Sequence, residues 1–228
     1  MSSAFVHGSS NRAKVSFDGT VVEVVKGTKD MPLHRELAYV PWSPDIIWFH
    51  CKVPARKDGE TTFCDGVRFA ESLRPFALEA FLKKNIRYVH NWEPNHWKGF
   101  LQTDTIQSAV QELSRFRQVR ILDTQNECLR FDYETSAIVD VNGRPAFLNS
   151  IANMKEPRLK GFCEVIFEDG SGIPEDLLSE IHAAGTRCTD QLAWQPGDII
   201  LADNNRVMHG RRAFEGTRTI HTRFGKAA

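Results

Sequence analysis

The sequence carries no net charge, few cysteines and no long hydrophobic run. Lysine plus arginine and aspartate plus glutamate both number 29, which argues against nucleic acid or an anionic membrane as the main partner. No apolar run approaches the roughly 20 residues that a membrane-spanning helix needs. The five cysteines are widely spaced and form no CxxC pair. We therefore expect reduced thiols rather than a disulfide framework or a cysteine-based zinc site.

The first residues also lack the charged segment and apolar core that mark a secretory signal. Together with the expected reduced thiols, this predicts a cytoplasmic protein. A chain of 228 residues is long enough for one well-buried domain. Because it contains no internal repeat or low-complexity linker, we predict a single domain over residues 1–228.

Patterns typical of short strands gather toward the two ends of the chain, with helical patterns in the middle. Residues 46–53 are β-branched and aromatic and predict a strand, and Asn142-Gly143 predicts a hairpin turn. Strands and helices do not alternate, which disfavours a parallel doubly wound sheet. We predict a mainly β fold, either a β-sandwich or a jelly roll, with a helical insertion at about residues 66–185.

A histidine follows a strand and a turn near the end of the chain. Pro196-Gly197 begins this stretch as a turn, residues 198–201 predict a short strand, and a second turn of Asp and Asn residues precedes His209. The adjacent Gly210 lets the backbone pass close to whatever the imidazole faces. This stretch alone fits a ligand-bearing arm and a hairpin with a surface histidine equally well.

His34 and Glu36 are two residues apart, so on an extended segment their side chains point to the same face. About one such pair is expected by chance in this composition, and a solvated pair explains the bare motif. A third candidate ligand, His209, comes from a distant strand. Two histidines and one carboxylate form the facial triad of non-haem Fe(II) oxygenases, which leaves coordination positions open for a co-substrate and dioxygen.

Such a co-substrate needs an anchor, and arginine suits a carboxylate because its planar fork binds both oxygens. Arg218 and Arg223 follow His209 on the predicted last strand, residues 217–224. Their five-residue separation puts them on opposite faces of a regular strand, so only one can point inward. The turn-like surroundings of Arg218 favour its exposure. Thr61 is a candidate hydroxyl donor to the same carboxylate.

In order and spacing, these motifs resemble the taurine dioxygenase family of Fe(II)/2-oxoglutarate-dependent oxygenases. The C-terminal motif is the most specific, and the resemblance runs from about residue 12 to the end. Within the family, the chain is most similar to amino-acid-hydroxylase-like enzymes of natural-product pathways, which carry His-x-Glu where many members carry His-x-Asp. The matching segments are residues 33–39, 49–51, 54–55, 58–61, 86–89, 101–104, 169–171, 194–198 and 203–218.

The resemblance implies a double-stranded β-helix, which is a cupin-like jelly roll. It also implies that Fe(II) is held by the catalytic residues His34, Glu36 and His209. Arg223 lies fourteen residues after His209, at the position of the arginine that binds the distal carboxylate of 2-oxoglutarate. Thr61 matches a threonine beside that carboxylate, and Arg218 ranks second as its anchor.

The implied activity is 2-oxoglutarate-dependent oxidation of an unactivated C–H bond by O2, with release of succinate and CO2. The oxidation is a hydroxylation or a related reaction. The implied substrate is a small molecule of a secondary-metabolite pathway, such as an amino acid, free or tethered to a carrier protein. Asn149 matches a polar position near the substrate pocket, and Tyr39 and Trp92 are further candidates for contact with the substrate.

Two alternative functions remain open at this point. Only 33 residues precede His34, whereas family members usually carry several dozen more, which motivates a catalytically inactive jelly-roll binding protein. The same three ligands also suit a metal-dependent hydrolase or isomerase on a cupin-like barrel, with zinc or manganese. That enzyme would have no need for an arginine on the last strand. The sequence makes no prediction of the oligomeric state.

Overall fold

Two four-stranded antiparallel sheets face each other at the centre of the computed structural model, which describes residues 13–24, 27–156 and 159–227. The first sheet consists, in spatial order, of β1 (Val21–Glu23), β16 (Thr219–Gly225), β3 (Ile46–Val53) and β13 (Ile199–Asp203). The second sheet consists of β12 (Asp190–Leu192), β5 (Thr61–Asp65), β14 (Val207–Arg211) and β2 (Met31–His34). Neighbouring strands come from distant parts of the chain, as in a jelly roll. The predicted mainly β fold is confirmed.

A short ribbon of β4 (Lys57–Asp58) and β15 (Phe214–Glu215) extends from one end of this core. The residues between β5 and β12 form the insertion. Its helices are α1 (Gly66–Ser72), α2 (Pro75–Lys83), α3 (Pro94–Leu101), α4 (Ile106–Leu113), α5 (Ile151–Met154) and α6 (Glu175–Cys188). No helix among the described residues combines the length and apolar character needed to cross a membrane.

The insertion contains strands as well as helices. Four of its strands form a third sheet, in the spatial order β11 (Cys163–Phe167), β6 (Ile86–Trp92), β8 (Leu129–Thr135) and β7 (Val119–Asp123). The other two, β9 (Ile138–Val141) and β10 (Arg144–Phe147), pair as a hairpin. Their turn is Asn142-Gly143, where both residues have positive φ, as the sequence predicted.

Local chemistry sets the helix boundaries. Asp65 caps α1 by accepting a hydrogen bond from the Val67 N–H, and Pro75 occupies the first turn of α2, where a missing N–H costs nothing. Gly185 lies inside α6, three residues before its end. An added Cβ there would make only an ordinary van der Waals contact, at 3.5 Å from the Phe69 ring.

Three apolar clusters hold the layers together. One fills the space between the two jelly-roll sheets, with Ile47, Phe49 and Ile220 at its centre. The largest lies between the second sheet and the insertion. The third is rich in aromatic residues and joins the insertion to residues 37–42.

Trp92 belongs to the aromatic cluster, which corrects its proposed contact with the substrate. Its side chain is fully buried, stacked on Phe100 with ring centroids 4.7 Å apart and edge-on to Phe131 at 4.8 Å. A tryptophan surrounded in this way supports the fold of the insertion.

We predict that Trp92→Ala lowers the free energy of unfolding by about 3–5 kcal/mol, because it removes a buried ring and leaves a cavity. The measurement is urea denaturation followed by circular dichroism. Leu122→Ala is the control, since Leu122 is 41% exposed on β7 and its loss is expected to cost about 1 kcal/mol or less. Equal effects of the two substitutions would contradict this account of the core.

Gly210 permits close contact between β14 and its neighbours. A Cβ at this position would lie 2.5 Å from the Met31 carbonyl oxygen and 2.7 Å from Thr62 Oγ1. We predict that Gly210→Ala destabilises the protein by about 1–3 kcal/mol through overpacking. Gly172→Ala is the matched control, because nothing lies within 4 Å of its added Cβ. A thermal unfolding midpoint of Gly210→Ala equal to that of the control would refute the prediction.

Candidate metal centre

Antiparallel pairing of β2 and β14 places His34 directly opposite His209. Their ring centroids are 4.4 Å apart. Glu36 follows two residues after His34, and its Oε2 lies 3.5 Å from His209 Nε2. All three residues are buried, with relative exposures of 5–6%, and their ligand atoms lie within 4.8 Å of one another. The sequence-predicted triad therefore forms one compact group of metal-ligating side chains.

A hydrogen bond at His34 and a ring contact at His209 orient the two imidazoles. His34 Nδ1 lies 2.9 Å from the Pro32 carbonyl oxygen, a contact that fixes the ring orientation and directs Nε2 toward the other two ligands. His209 is packed edge-on against Phe49, with ring centroids 5.2 Å apart. Two imidazoles and one carboxylate, buried together, match the donor set of a non-haem Fe(II) site. The residues present thus fit the metal that the sequence suggested.

A pocket between the two jelly-roll sheets opens beside the triad. It is lined by the apolar residues Val24, Met31, Phe49 and Ile220 and by the polar residues Thr61, Arg211 and Arg218. Glu36 is the only carboxylate among the described residues that line it. Apart from the triad, the polar groups of the lining are two guanidinium groups and one hydroxyl, so the pocket is suited to an anion.

Arg218 is held in the pocket by two hydrogen bonds. Its Nε donates to the Gly59 carbonyl oxygen at 3.0 Å, and its Nη2 donates to Thr61 Oγ1 at 3.0 Å. Burial, with a smaller contribution from the nearby Arg211 cation, lowers the pKa of Arg218 to about 10. The guanidinium is therefore still protonated at neutral pH. Thr61 also accepts a 2.8 Å hydrogen bond from Trp194 Nε1.

Arg223, our first choice for the co-substrate anchor, lies outside the pocket. Ile220 and Thr222 on β16 are buried, so alternation directs Arg223 to the opposite, outer face of the sheet. There it is exposed and lies opposite Val21 and Trp48 of the neighbouring strands. The structure thus reverses the predicted order of the two arginines: Arg218, which we ranked second, is the one in the pocket.

Arg211 lines the same pocket and was missed by the sequence reasoning. It is 8% exposed, its Nη2 donates to the Lys29 carbonyl oxygen at 2.9 Å, and its guanidinium lies 5.3 Å from the Phe214 ring centroid. Because it follows His209 by two residues, strand alternation alone assigns both side chains to one face. The rule that paired His34 with Glu36 would therefore have found it.

Tyr39 and Asn149, the other two candidates for substrate contact, do not line this pocket. The carbonyl of Tyr39 lies 2.7 Å from His90 Nε2, and its ring packs at 6.2 Å from Phe162. The Asn149 side chain is buried, donating to Ala137 and accepting from the Ile151 N–H. It borders a second cavity beside α6, which shares Met31 and Arg211 with the pocket of the triad. Both residues therefore have structural contacts of their own.

Comparison with known proteins identifies relatives along nearly the whole chain. The model of the family "Taurine catabolism dioxygenase TauD, TfdA family" matches residues 4–224. The dapdiamide synthesis protein DdaC of Enterobacter agglomerans is 26% identical over an alignment of 216 residues that covers 84% of this chain and 64% of that protein. The 3-((Z)-2-isocyanoethenyl)-1H-indole synthase of Fischerella ambigua (strain UTEX 1903) is 24% identical over 81% of this chain and 58% of its own length.

Solved structures with the same fold include an asparagine oxygenase in complex with Fe(II), 2S,3S-3-hydroxyasparagine and succinate. It superposes with a TM-score of 0.57 and 14% identity over 90% of this chain and 56% of that one. PvcB of Pseudomonas aeruginosa superposes with a TM-score of 0.56 and 18% identity, over 94% of this chain and 66% of that one. The chain thus spans less than two thirds of these proteins. The family model and the jelly roll agree: this chain belongs to the TauD/TfdA family.

Proposed function

We propose that this protein is an Fe(II)/2-oxoglutarate-dependent oxygenase that oxidises an unactivated C–H bond and releases succinate and CO2. One observation carries the proposal: the buried group of two histidines and a glutamate shares a single pocket with a buried guanidinium. Metal ligands and a carboxylate anchor are the two parts that this chemistry requires from a protein. When bound, Fe(II), 2-oxoglutarate and O2 together supply the oxidation itself.

The metal-holding role belongs to His34, Glu36 and His209. Two neutral imidazoles and one carboxylate neutralise only part of the charge of a divalent ion, so the site retains positive charge for an anionic co-substrate. The hydrogen bond between His34 Nδ1 and Pro32 keeps one imidazole in the orientation for binding. Burial excludes competing water from the protein side of the ion.

The co-substrate-holding role belongs to Arg218, Arg211 and Thr61. 2-Oxoglutarate is a dianion, and this pocket offers two guanidinium groups besides the metal ligands. Charge-assisted hydrogen bonds are stronger in a partly buried site than in water. Thr61 accepts hydrogen bonds from both Arg218 and Trp194, so its own hydroxyl proton is available to a bound carboxylate.

The apolar part of the lining supports the same function. Val24, Met31, Phe49 and Ile220 surround the polar groups and exclude water from the space beside the metal ligands. A dry site strengthens the electrostatic contacts and suppresses side reactions. A hydrolase on this scaffold would need water at the ion and would gain nothing from the two arginines of the pocket, so the structure favours the oxygenase.

For the substrate, we propose a small amino-acid-derived molecule of a secondary-metabolite pathway. The support comes from relatives: one is a dapdiamide synthesis protein, and another is an asparagine oxygenase that holds hydroxyasparagine. Both a free amino acid and one tethered to a carrier protein fit this class.

The five cysteines are free thiols, which accords with the reducing cytoplasm that we propose as the compartment.

We predict that the protein binds Fe(II) and then 2-oxoglutarate under anaerobic conditions, producing the weak visible charge-transfer band of their complex. His209→Ala should abolish the band because it removes one of three ligands. His182→Ala, at an exposed histidine of α6, should leave the band intact. If folded wild-type protein gives no band, the oxygenase proposal fails and a binding protein without this chemistry becomes the better description.

We further predict that Arg218→Gln raises the dissociation constant of 2-oxoglutarate about 10- to 100-fold, because it removes a charge-assisted contact. The matched control is Arg223→Gln on the outer face of β16, which should change the constant less than about twofold. Titration of the charge-transfer band gives both constants. A large effect of Arg223→Gln with none of Arg218→Gln would restore the anchor that the sequence suggested.

A further inference from the structure

Asn204 is a fully buried polar residue in the turn between β13 and β14. Its side chain forms hydrogen bonds with both main-chain polar groups, the N–H and the carbonyl, of the metal-ligating residue Glu36. Oδ1 accepts from the Glu36 N–H at 2.9 Å, and Nδ2 donates to the Glu36 carbonyl oxygen at 3.1 Å. The second Nδ2 hydrogen bond goes to the Pro44 carbonyl oxygen at 2.7 Å. Both N–H groups of the amide and one acceptor position are therefore used.

The main chain of Asn204 extends the same connection. Its N–H donates to the Asp45 carbonyl oxygen at 2.8 Å, and its carbonyl accepts from Arg35 Nε at 3.0 Å. One residue thus joins the segment that carries Glu36, the segment that leads into β3 and the turn that leads into β14. His209 lies only five residues further along that turn and strand.

Glu36 needs such support because no strand holds it. β2 ends at His34, and the next residue after Glu36, Leu37, has a φ of 54° although it is not glycine. This left-handed conformation is unfavourable for a leucine and persists only where surrounding contacts impose it. His34 and His209 are fixed by the main-chain hydrogen bonds between paired strands. At Glu36, the two hydrogen bonds with the Asn204 side chain take the place of such strand pairing.

We propose that Asn204 is a positioning residue that attaches Glu36 to the turn preceding His209, so that carboxylate and imidazole reach the same metal ion. This inference rests on the proposed function, since it assumes that the triad binds metal. The amide is specific for the task because it presents an acceptor and two donors to fixed main-chain groups. Aspartate keeps the acceptor but turns an oxygen toward two carbonyl oxygens.

The test measures metal binding without turnover, using Co(II) as a redox-stable probe of the purified full chain. Asn204→Asp and Asn204→Ala are compared with wild type and with Asn205→Ala. Asn205 is the matched control, because its exposed side chain bonds Arg35 Nη2 at 2.7 Å and Asp45 Oδ1 at 3.0 Å without touching Glu36. Circular dichroism and urea unfolding of the metal-free proteins report the folded fraction.

We expect the Co(II) dissociation constant to rise about 10- to 100-fold in both Asn204 variants, as for other residues that orient a metal ligand, and less than about threefold in Asn205→Ala. The visible Co(II) spectrum of the Asn204 variants should shift toward that of Glu36→Ala, because the carboxylate is misplaced. A residue that serves only stability would lower the unfolding free energy while leaving the affinity and spectrum of folded molecules unchanged.

Wild-type affinity and a wild-type spectrum in folded Asn204→Asp or Asn204→Ala would overturn the inference. If neither variant folds, Asn204→Ser, which keeps a small polar group in the same space, is tested instead. The same rise in the Co(II) dissociation constant is expected, and wild-type affinity with a wild-type spectrum would again overturn the inference. Failure of the wild type to bind Co(II) would instead overturn the proposed function. The two failures are therefore distinguishable.

Discussion

The register between β2 and β14 is the constraint on which the site depends. It sets His34 opposite His209, and a slip of β2 by one residue would turn His34 to the other face of the sheet, away from His209. Two features secure it. Gly210 allows contact with the Met31 carbonyl that any side chain would prevent, and β5 pairs with the other edge of β14 along all five of its residues. Strand pairing alone thereby brings together residues 175 positions apart.

Burial between the sheets gives this pairing its chemical consequence. An exposed pair of histidines near a glutamate would be solvated and weak, whereas these residues are enclosed by the cluster around Phe49 and Ile220. The same burial lowers the pKa of Arg218 to about 10 without removing its charge at neutral pH. The pocket therefore keeps a fixed cation in an apolar setting, where its attraction for a carboxylate is greatest.

Residue spacing predicted the triad but could not fully predict the pocket. The two-residue alternation found His34 and Glu36, and the same rule would have found Arg211. Arg223 was preferred because its distance from His209 fitted the family, yet the buried Ile220 and Thr222 occupy the inner face of β16, and strand alternation then directs Arg223 outward. The hairpin of the insertion was predicted because the turn residues Asn142-Gly143 are specific, whereas short strands such as β7 and β11 carry little periodic signal. Residue type alone could not tell that Trp92 lies in a core.

The insertion contributes to the metal centre as well as to the core around it. The Arg35 N–H donates to the Asn149 carbonyl at 2.9 Å, and Ser150 Oγ donates to the Arg35 carbonyl at 2.9 Å. Ser150 is in turn tied to the third sheet, because its N–H donates to the Tyr88 hydroxyl. The residue between the two N-terminal ligands is thus held by the insertion, while Glu36 is held by the jelly roll. A change in the insertion can therefore alter the geometry of the triad without touching a ligand.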